Sequence, residues 1–234
     1  MKRVSIFGCG WVGKALKKEL EEEYVVNCSV RSKYPYPKSF YDVETMVIAI
    51  PSKGKYLQIL REFLSAFSSN RQLILLSSTS VYPHTKGVVK EDDTQDITTP
   101  SLMLQAERLV LSLVPNVVIL RLGGLMGYDR VAGKYTAGKT KAHDAHVNYI
   151  YRDDVVAIIK LCIENSVKEE TFNVVAPLHP KQSEIYIKNA KIFGWKDTYF
   201  ESDEVIGKVV SSGKLVGFFG YEFLKSEPLG FWAE

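Results

Sequence analysis

Near its start the chain reads SIFGCGWVG, placing Gly8, Gly10 and Gly13 in a G-x-G-x-x-G spacing. Glycines so spaced suit bringing bare backbone against a diphosphate, with a merely structural glycine turn as the competing account. The first permits a tight turn, the second lets backbone approach the phosphates, and the third lets a helix pack closely on a strand. The helix N-terminus adds the positive end of its dipole. The motif alone is weak, but its setting strengthens it. It follows the apolar run Arg3–Phe7 and opens residues 11–23, where Val12, Ala15, Leu16 and Leu20 recur at helical spacing opposite lysines and glutamates. A dinucleotide site is expected, with Gly8, Gly10, Trp11, Val12 and Gly13 at its phosphates.

The end of the second apolar run, YVVNCSV (24–30), bears on which dinucleotide. An acid there would accept a hydrogen bond from a ribose 2′-hydroxyl and repel a 2′-phosphate. The chain instead has Arg31, Ser32 and Lys33. Two cations and a hydroxyl suit a 2′-phosphate, which arginine binds bidentately. NADP(H) is therefore the expected cofactor, with NAD(H) the alternative; a solvated basic loop is the competing account of the same residues.

A second candidate is LILLSSTSVYP (73–83), a buried-strand pattern ending in hydroxyls. A central strand points such hydroxyls into the ligand crevice at its carboxyl end. Tyr82 and His84 follow and could exchange protons there, although a packing aromatic and a surface histidine are the ordinary readings. HDAH (143–146) has two histidines but no third ligand nearby, too few for a catalytic zinc. Asp153 and Asp154 open a helical pattern, where capping accounts for at least one of them.

These residues are positioned by alternating strands and helices. Strand patterns fall at 3–7, 24–30, 44–51, 72–78, 116–122 and 171–176. Helical patterns fall at 11–23, 56–67, 101–113, 154–165 and 182–193. Such alternation implies an α/β fold with a Rossmann-type doubly wound parallel sheet. The run at 72–78 is the most apolar and is expected at the centre. Residues 31–43 hold two prolines and several aromatics without a clean period, so a loop or truncated connection is expected. The expected division is a dinucleotide-binding domain over 1–175 and a small C-terminal substrate lobe over 176–234, with parts of 125–150 contributing to the lobe.

The chain has 234 residues, 46% hydrophobic, 24% charged and with net charge +3. The charge is small and mixed, which gives no electrostatic case for nucleic acid. No apolar run approaches the ~18 residues of a membrane span, and no cleavage site follows the apolar start. Cys9, Cys28 and Cys162 are far apart in apolar runs, and the expectation is three buried thiols in a cytoplasmic protein.

The glycine loop, SSTSVYP (77–83), LRLGGLMGYDR (120–130) and VNYIYRDDVVAII (147–159) stand in an order and spacing that resemble the extended short-chain dehydrogenase/reductase superfamily, in particular its NAD-dependent epimerase/dehydratase branch. The likeness spans nearly the whole chain. It implies further cofactor contacts at Ala49, Ile50, Pro51, Ser77, Leu122 and Gly123, and substrate contacts at Thr79, Gly124 and Arg130. It implies a small-molecule substrate, and a homodimer through helices such as 56–67 and 101–113.

That family transfers protons with a serine or threonine, a tyrosine, and a lysine four residues after the tyrosine. Ser78 matches the serine. Aligned on Glu107, which matches a family glutamate, the tyrosine and lysine positions hold Thr99 and Met103, and neither can replace them. The spacing Y-x-x-x-K recurs at Tyr34–Lys38, Tyr135–Lys139 and Tyr221–Lys225, but none begins the helix after the serine strand. Two readings stay open. One is an oxidoreductase or epimerase with another acid/base, Tyr82 first and His84 second. The other is a binding protein that senses NAD(P)H without catalysis.

Overall fold

Branched and apolar side chains pack well on a pleated surface, and in this protein their short runs form the strands. The structure is a computed structural model describing residues 1–33, 35–67, 70–83 and 86–232, with only the backbone of Arg31. It divides into two compact units, Met1–Val81 with Thr94–Arg121 and Val155–Phe172, and Tyr82–Asp93 with Leu122–Asp154 and Asn173–Glu234.

The first unit is built on a six-stranded sheet. Its strands are β1 (Arg3–Phe7), β2 (Val25–Ser29), β3 (Thr45–Ile48), β4 (Gln72–Ser78), β6 (Val117–Leu122) and β11 (Glu170–Val174). They lie side by side in the order β11-β6-β4-β3-β1-β2. Pairing is parallel, with Phe7 opposite both Ser29 and Ile48, and Ile48 opposite Leu75. The sheet is of the Rossmann type. β4 lies inside it, and six of its seven residues are buried, as a strand covered on both faces requires.

Helices α1 (Trp11–Leu20), α2 (Lys38–Tyr41), α3 (Tyr56–Ser65), α4 (Leu102–Leu113) and α5 (Arg152–Glu164) connect these strands. α1 buries Val12, Leu16 and Leu20; its last turn carries Lys17 and Lys18 and its first turn carries no acid. No acid of its own first turn thus offsets the positive end of its dipole. Among its described residues the 31–43 connection holds a 3-10 turn at Arg31–Lys33 and the one-turn α2, with no strand. Its aromatics form a cluster: Tyr36, Phe40 and Tyr41 gather around Phe63, which stacks on Phe7 at 4.3 Å between ring centres. The Tyr36 hydroxyl donates to the Val30 carbonyl at 2.7 Å.

The buried face of α4 is set by more than its apolar residues. Met103, Leu104, Ala106, Glu107 and Val110 are buried, whereas Leu102, Leu111 and Leu113 are exposed. That face includes a buried ion pair. Arg121 on β6 donates to both Glu107 carboxylate oxygens, through Nη2 to Oε2 at 2.8 Å and through Nε to Oε1 at 3.1 Å. Ser77 Oγ donates to Glu107 Oε1 at 2.5 Å, and Arg121 Nη2 also reaches Thr94 Oγ1 at 2.9 Å. These partners satisfy the carboxylate that the buried face of the helix takes inside.

The expectation of three separate buried thiols is corrected. Cys9 and Cys28 form a disulfide, with Cα atoms 5.3 Å apart, and both residues are half-buried. The parallel register that sets Ile6 opposite Cys28 brings the two together. Only Cys162 is a buried free thiol, and burial pushes its pKa up to about 12.

The second unit holds four short parallel pairs. β5 (Gly87–Val89) pairs with β14 (Lys208–Val210), and β7 (Gly124–Met126) with β10 (Tyr149–Tyr151). β8 (Thr140–Lys141) pairs with β12 (Tyr199–Phe200), and β9 (Asp144–Ala145) with β13 (Val205–Ile206). α6 (Gln182–Phe193) and α7 (Gly213–Phe219) complete it. Its core is Ala132, Val147, Ile185 and Tyr186, with Met126, Tyr149 and Phe200 against them. Asp154 is buried and anchors the tail, accepting from the Tyr221 hydroxyl at 2.8 Å and the Leu224 amide at 2.7 Å; burial raises its pKa. Among the described residues no helix is long and apolar enough to cross a membrane.

Candidate functional site

The glycine loop sits between β1 and α1, tied down from below. The amides of Gly8 and Cys9 both donate to the Ser29 carbonyl, at 2.8 and 3.1 Å. Gly8 has φ +125°, and a Cβ there would stand 2.5 Å from the Ala49 carbonyl group. A Cβ on Gly13 would stand 2.1 Å from the Gly8 carbonyl oxygen. Both positions exclude any side chain because backbone passes too close. Gly10 is different: a Cβ there would meet nothing within 4 Å among the described residues. The loop therefore closes tightly on the fold at two glycines and opens outward at the third. α1 starts with no side-chain cap at Gly10, so its first-turn amides lack helical acceptors. An open glycine beside such amides is the shape that receives a diphosphate.

Parallel pairing brings the carboxyl ends of neighbouring strands to the same edge. Ala49 and Ile50 follow β3 and abut Gly8, and the Ala49 amide donates to the Phe7 carbonyl at 2.8 Å. Pro51 beyond them is exposed. Ser77 and Ser78 end β4. Alternation along the strand separates their roles. The Ser77 hydroxyl is turned into the fold and spent on Glu107, whereas Ser78 is half-buried and its Oγ accepts from the Ser80 amide at 3.1 Å. Thr79 is half-buried beside it. Ser32 and Lys33 are exposed in the turn that follows β2, and the side chain of Arg31 lies outside the described residues.

The remaining candidates lie in the second unit, apart from Thr99 and Met103, which belong to the first. Leu122 and Gly123 precede β7; the Gly123 amide donates to the Val174 carbonyl at 3.0 Å. Side chains at Gly123 and Gly124 would strike the Asn148 carbonyl and the Tyr149 ring. Arg130 is exposed and helps line a cavity of about 430 Å³ with Met126, Val131, Thr136, Tyr149 and Tyr186. The Tyr149 and Tyr186 hydroxyls are 3.4 Å apart, and burial raises both pKa values.

Tyr82 is placed differently from a proton-transfer residue. It is 2% exposed, and its hydroxyl donates to Asn173 Oδ1 at 2.6 Å. The Lys208 ammonium donates to the Tyr82 carbonyl at 2.8 Å rather than to its phenol. His84 lies outside the described residues. Thr99 is exposed ahead of α4, and Met103 is buried within it. In HDAH, Asp144 accepts from the Ser183 hydroxyl at 2.6 Å, while Nδ1 of His146 lies 2.7 Å from the His179 carbonyl oxygen. The sequence reading missed the Glu107–Arg121–Ser77 cluster and the Cys9–Cys28 pair. A lone arginine inside the apolar run VVILRL was the available signal for the first.

No protein-family model matches the chain. Protein YeeZ of Escherichia coli (strain K12) is 27% identical over 269 residues, covering 98% of each chain. Among solved structures, a Methylobacillus flagellatus protein classed as an NAD-dependent epimerase/dehydratase superposes with a TM-score of 0.82 at 23% identity, over 99% of this chain and 96% of the other. MoeE5, solved with UDP-glucose and NAD, gives 0.74 at 17% identity, over 98% and 96%. A human epimerase family protein solved with NADPH gives 0.74 at 16% identity, over 97% and 96%. These structures share the fold of this chain.

Proposed function

We propose that the chain binds NADP(H) through its glycine loop and acts as an oxidoreductase or epimerase on a hydroxyl- or carbonyl-bearing metabolite of the sugar-nucleotide kind. The observation that carries the reading is Gly10, open on the outer side of a loop that Gly8 and Gly13 hold against the fold. Gly8, Gly10, Trp11, Val12 and Gly13 would hold the diphosphate, with Ala49, Ile50, Pro51, Ser77, Leu122 and Gly123 as further contacts. Since the Ser77 hydroxyl is spent on Glu107, only its backbone is offered. Arg31 and Ser32 would take the 2′-phosphate. The bound nicotinamide supplies a hydride donor or acceptor. Ser78 would hydrogen-bond the reacting substrate oxygen, Thr79 and Gly124 would line its place, and Arg130 would meet an anionic group. Two protein relatives in fold, solved with NAD and with NADPH, support the cofactor class.

A second reading, a binding protein that does no chemistry, is favoured by one observation. Met103, which stands at the position of the family's lysine in the resemblance, is buried and carries no titratable group.

Calorimetric titration with NADPH and NADH tests the binding. Arg31→Ala should weaken NADPH roughly 10- to 100-fold, the loss of a charge-assisted contact worth ~1.5–3 kcal/mol, and NADH much less. Equal losses would mean that Arg31 does not read the phosphate. Incubation with UDP-sugars then separates the readings: product formation supports the enzyme, and tight NADPH binding without turnover supports the binder.

A further inference from the structure

The glycine loop contains a cysteine, Cys9, set between Gly8 and Gly10, and its sulfur is bonded to that of Cys28 on β2. We propose that Cys9 and Cys28 are a reversible dithiol–disulfide couple that clamps the loop. Resting on the dinucleotide reading above, we further infer that its oxidised state is the one that receives a dinucleotide more readily.

Three observations support this. The bond is not the only tie between β1 and β2. β1 and β2 are already paired along five residues, and Ser29 accepts both the Gly8 and Cys9 amides. The extra constraint therefore falls on the loop. Both cysteines are half-buried, unlike Cys162, which is fully buried. A place also exists for the reduced state. Cys28 Sγ lies 3.6 Å from the Gly13 carbonyl oxygen and can donate to it as a thiol. Reduction then frees Cys9 while leaving Cys28 held against α1.

The exchange balances with a dithiol reductant. One thiolate of the reductant attacks a sulfur of the pair, and the other sulfur leaves as a thiolate and takes a proton. The second thiol of the reductant then displaces the protein sulfur from the mixed disulfide. The pair gains two electrons and two protons, and the reductant departs as a disulfide. Because the clamp would favour the dinucleotide-receiving shape, linkage requires the reverse as well: bound dinucleotide should hold the pair oxidised by the same factor.

The test uses the intact protein in reduced and oxidised dithiothreitol. Alkylation with mass mapping should find Cys9 and Cys28 blocked as a disulfide under oxidant and labelled after reduction, reversibly, with Cys162 labelled only after unfolding. Amide exchange without cofactor should accelerate over residues 8–13 on reduction and stay unchanged at β4. Full labelling of Cys9 and Cys28 under oxidant, or identical exchange in both states, would overturn the couple and its clamp. NADPH affinity should fall on the order of tenfold on reduction, and Cys28→Ser should match the reduced protein in either buffer. Equal affinities in both states would overturn the coupling. If neither state bound a dinucleotide, the coupling would fall together with the proposed function, while the labelling and exchange would still decide the couple itself.

Discussion

Gly10→Val should abolish dinucleotide binding while leaving the fold standing. Gly10 has a negative φ, −92°, and a Cβ built there meets no atom of the described residues within 4 Å. The Cβ thus enters open space, and the fold should lose about 1 kcal/mol, the cost of replacing a favoured N-cap residue by a β-branched one. That space is where a diphosphate would meet the first-turn amides of α1. Each charge-assisted hydrogen bond lost there is worth ~1.5–3 kcal/mol, so losing two weakens binding by ~10²- to 10⁴-fold. Gly13→Ala is the matched contrast. Its Cβ would lie 2.1 Å from the Gly8 carbonyl oxygen, so backbone must move to restore ordinary contact at 3.4 Å or more. Overpacking of this kind costs ~1–3 kcal/mol. Calorimetry with NADPH and urea denaturation of both variants provide the assay. A folded Gly10→Val protein with wild-type NADPH affinity would refute the phosphate-loop argument, and an unfolded one would refute the open space.

Tyr82→Phe should cost ~1–3 kcal/mol in urea denaturation, because Asn173 Oδ1 loses its buried donor, yet leave any turnover of UDP-sugars within a few-fold of wild type. A 100-fold loss of turnover without a stability change would restore the catalytic reading of this phenol. Arg121→Met should destabilise by ~3–5 kcal/mol, since it leaves the Glu107 carboxylate buried without its cation; adding Glu107→Gln should recover part of the loss, and chemical denaturation of the single and double variants checks both. His179 is held by burial below its usual pKa of 6.5, with Nδ1 2.9 Å from the Val147 carbonyl oxygen and His146 nearby. The unfolded chain protonates first as pH falls, so this contribution is present above about 6.5 and is lost as pH falls through the lower folded value. The urea midpoint should therefore drop between pH 7.5 and 5, and the drop should be shallower in His179→Gln.

What the sequence determined by itself was local. The alternation of short apolar runs with helical periods located β4 at Gln72–Ser78 and α6 at Gln182–Phe193 to the residue, because a run's period and length depend only on neighbours along the chain. The glycine spacing was legible for the same reason: tight turns, close approaches and a helix start all fall within six residues. The aromatic-rich 31–43 stretch could be recognised as a short connection, although not as the cluster around Phe63. Tertiary structure decided everything that depended on partners far along the chain. α4 carries leucines on one stripe and Met103, Ala106, Glu107 and Val110 on another, and periodicity cannot choose between them; the second stripe is the buried one, and its Glu107 meets the Arg121 guanidinium delivered by β6. Tyr82 is an aromatic after a strand until Asn173, 91 residues on, accepts its hydroxyl. Cys9 and Cys28 are separate thiols in the linear chain, and only the register of β1 against β2 makes them a pair. Pairing across strands is fixed by burial and by the hydrogen-bond ladder of the whole sheet, and no local pattern contains it.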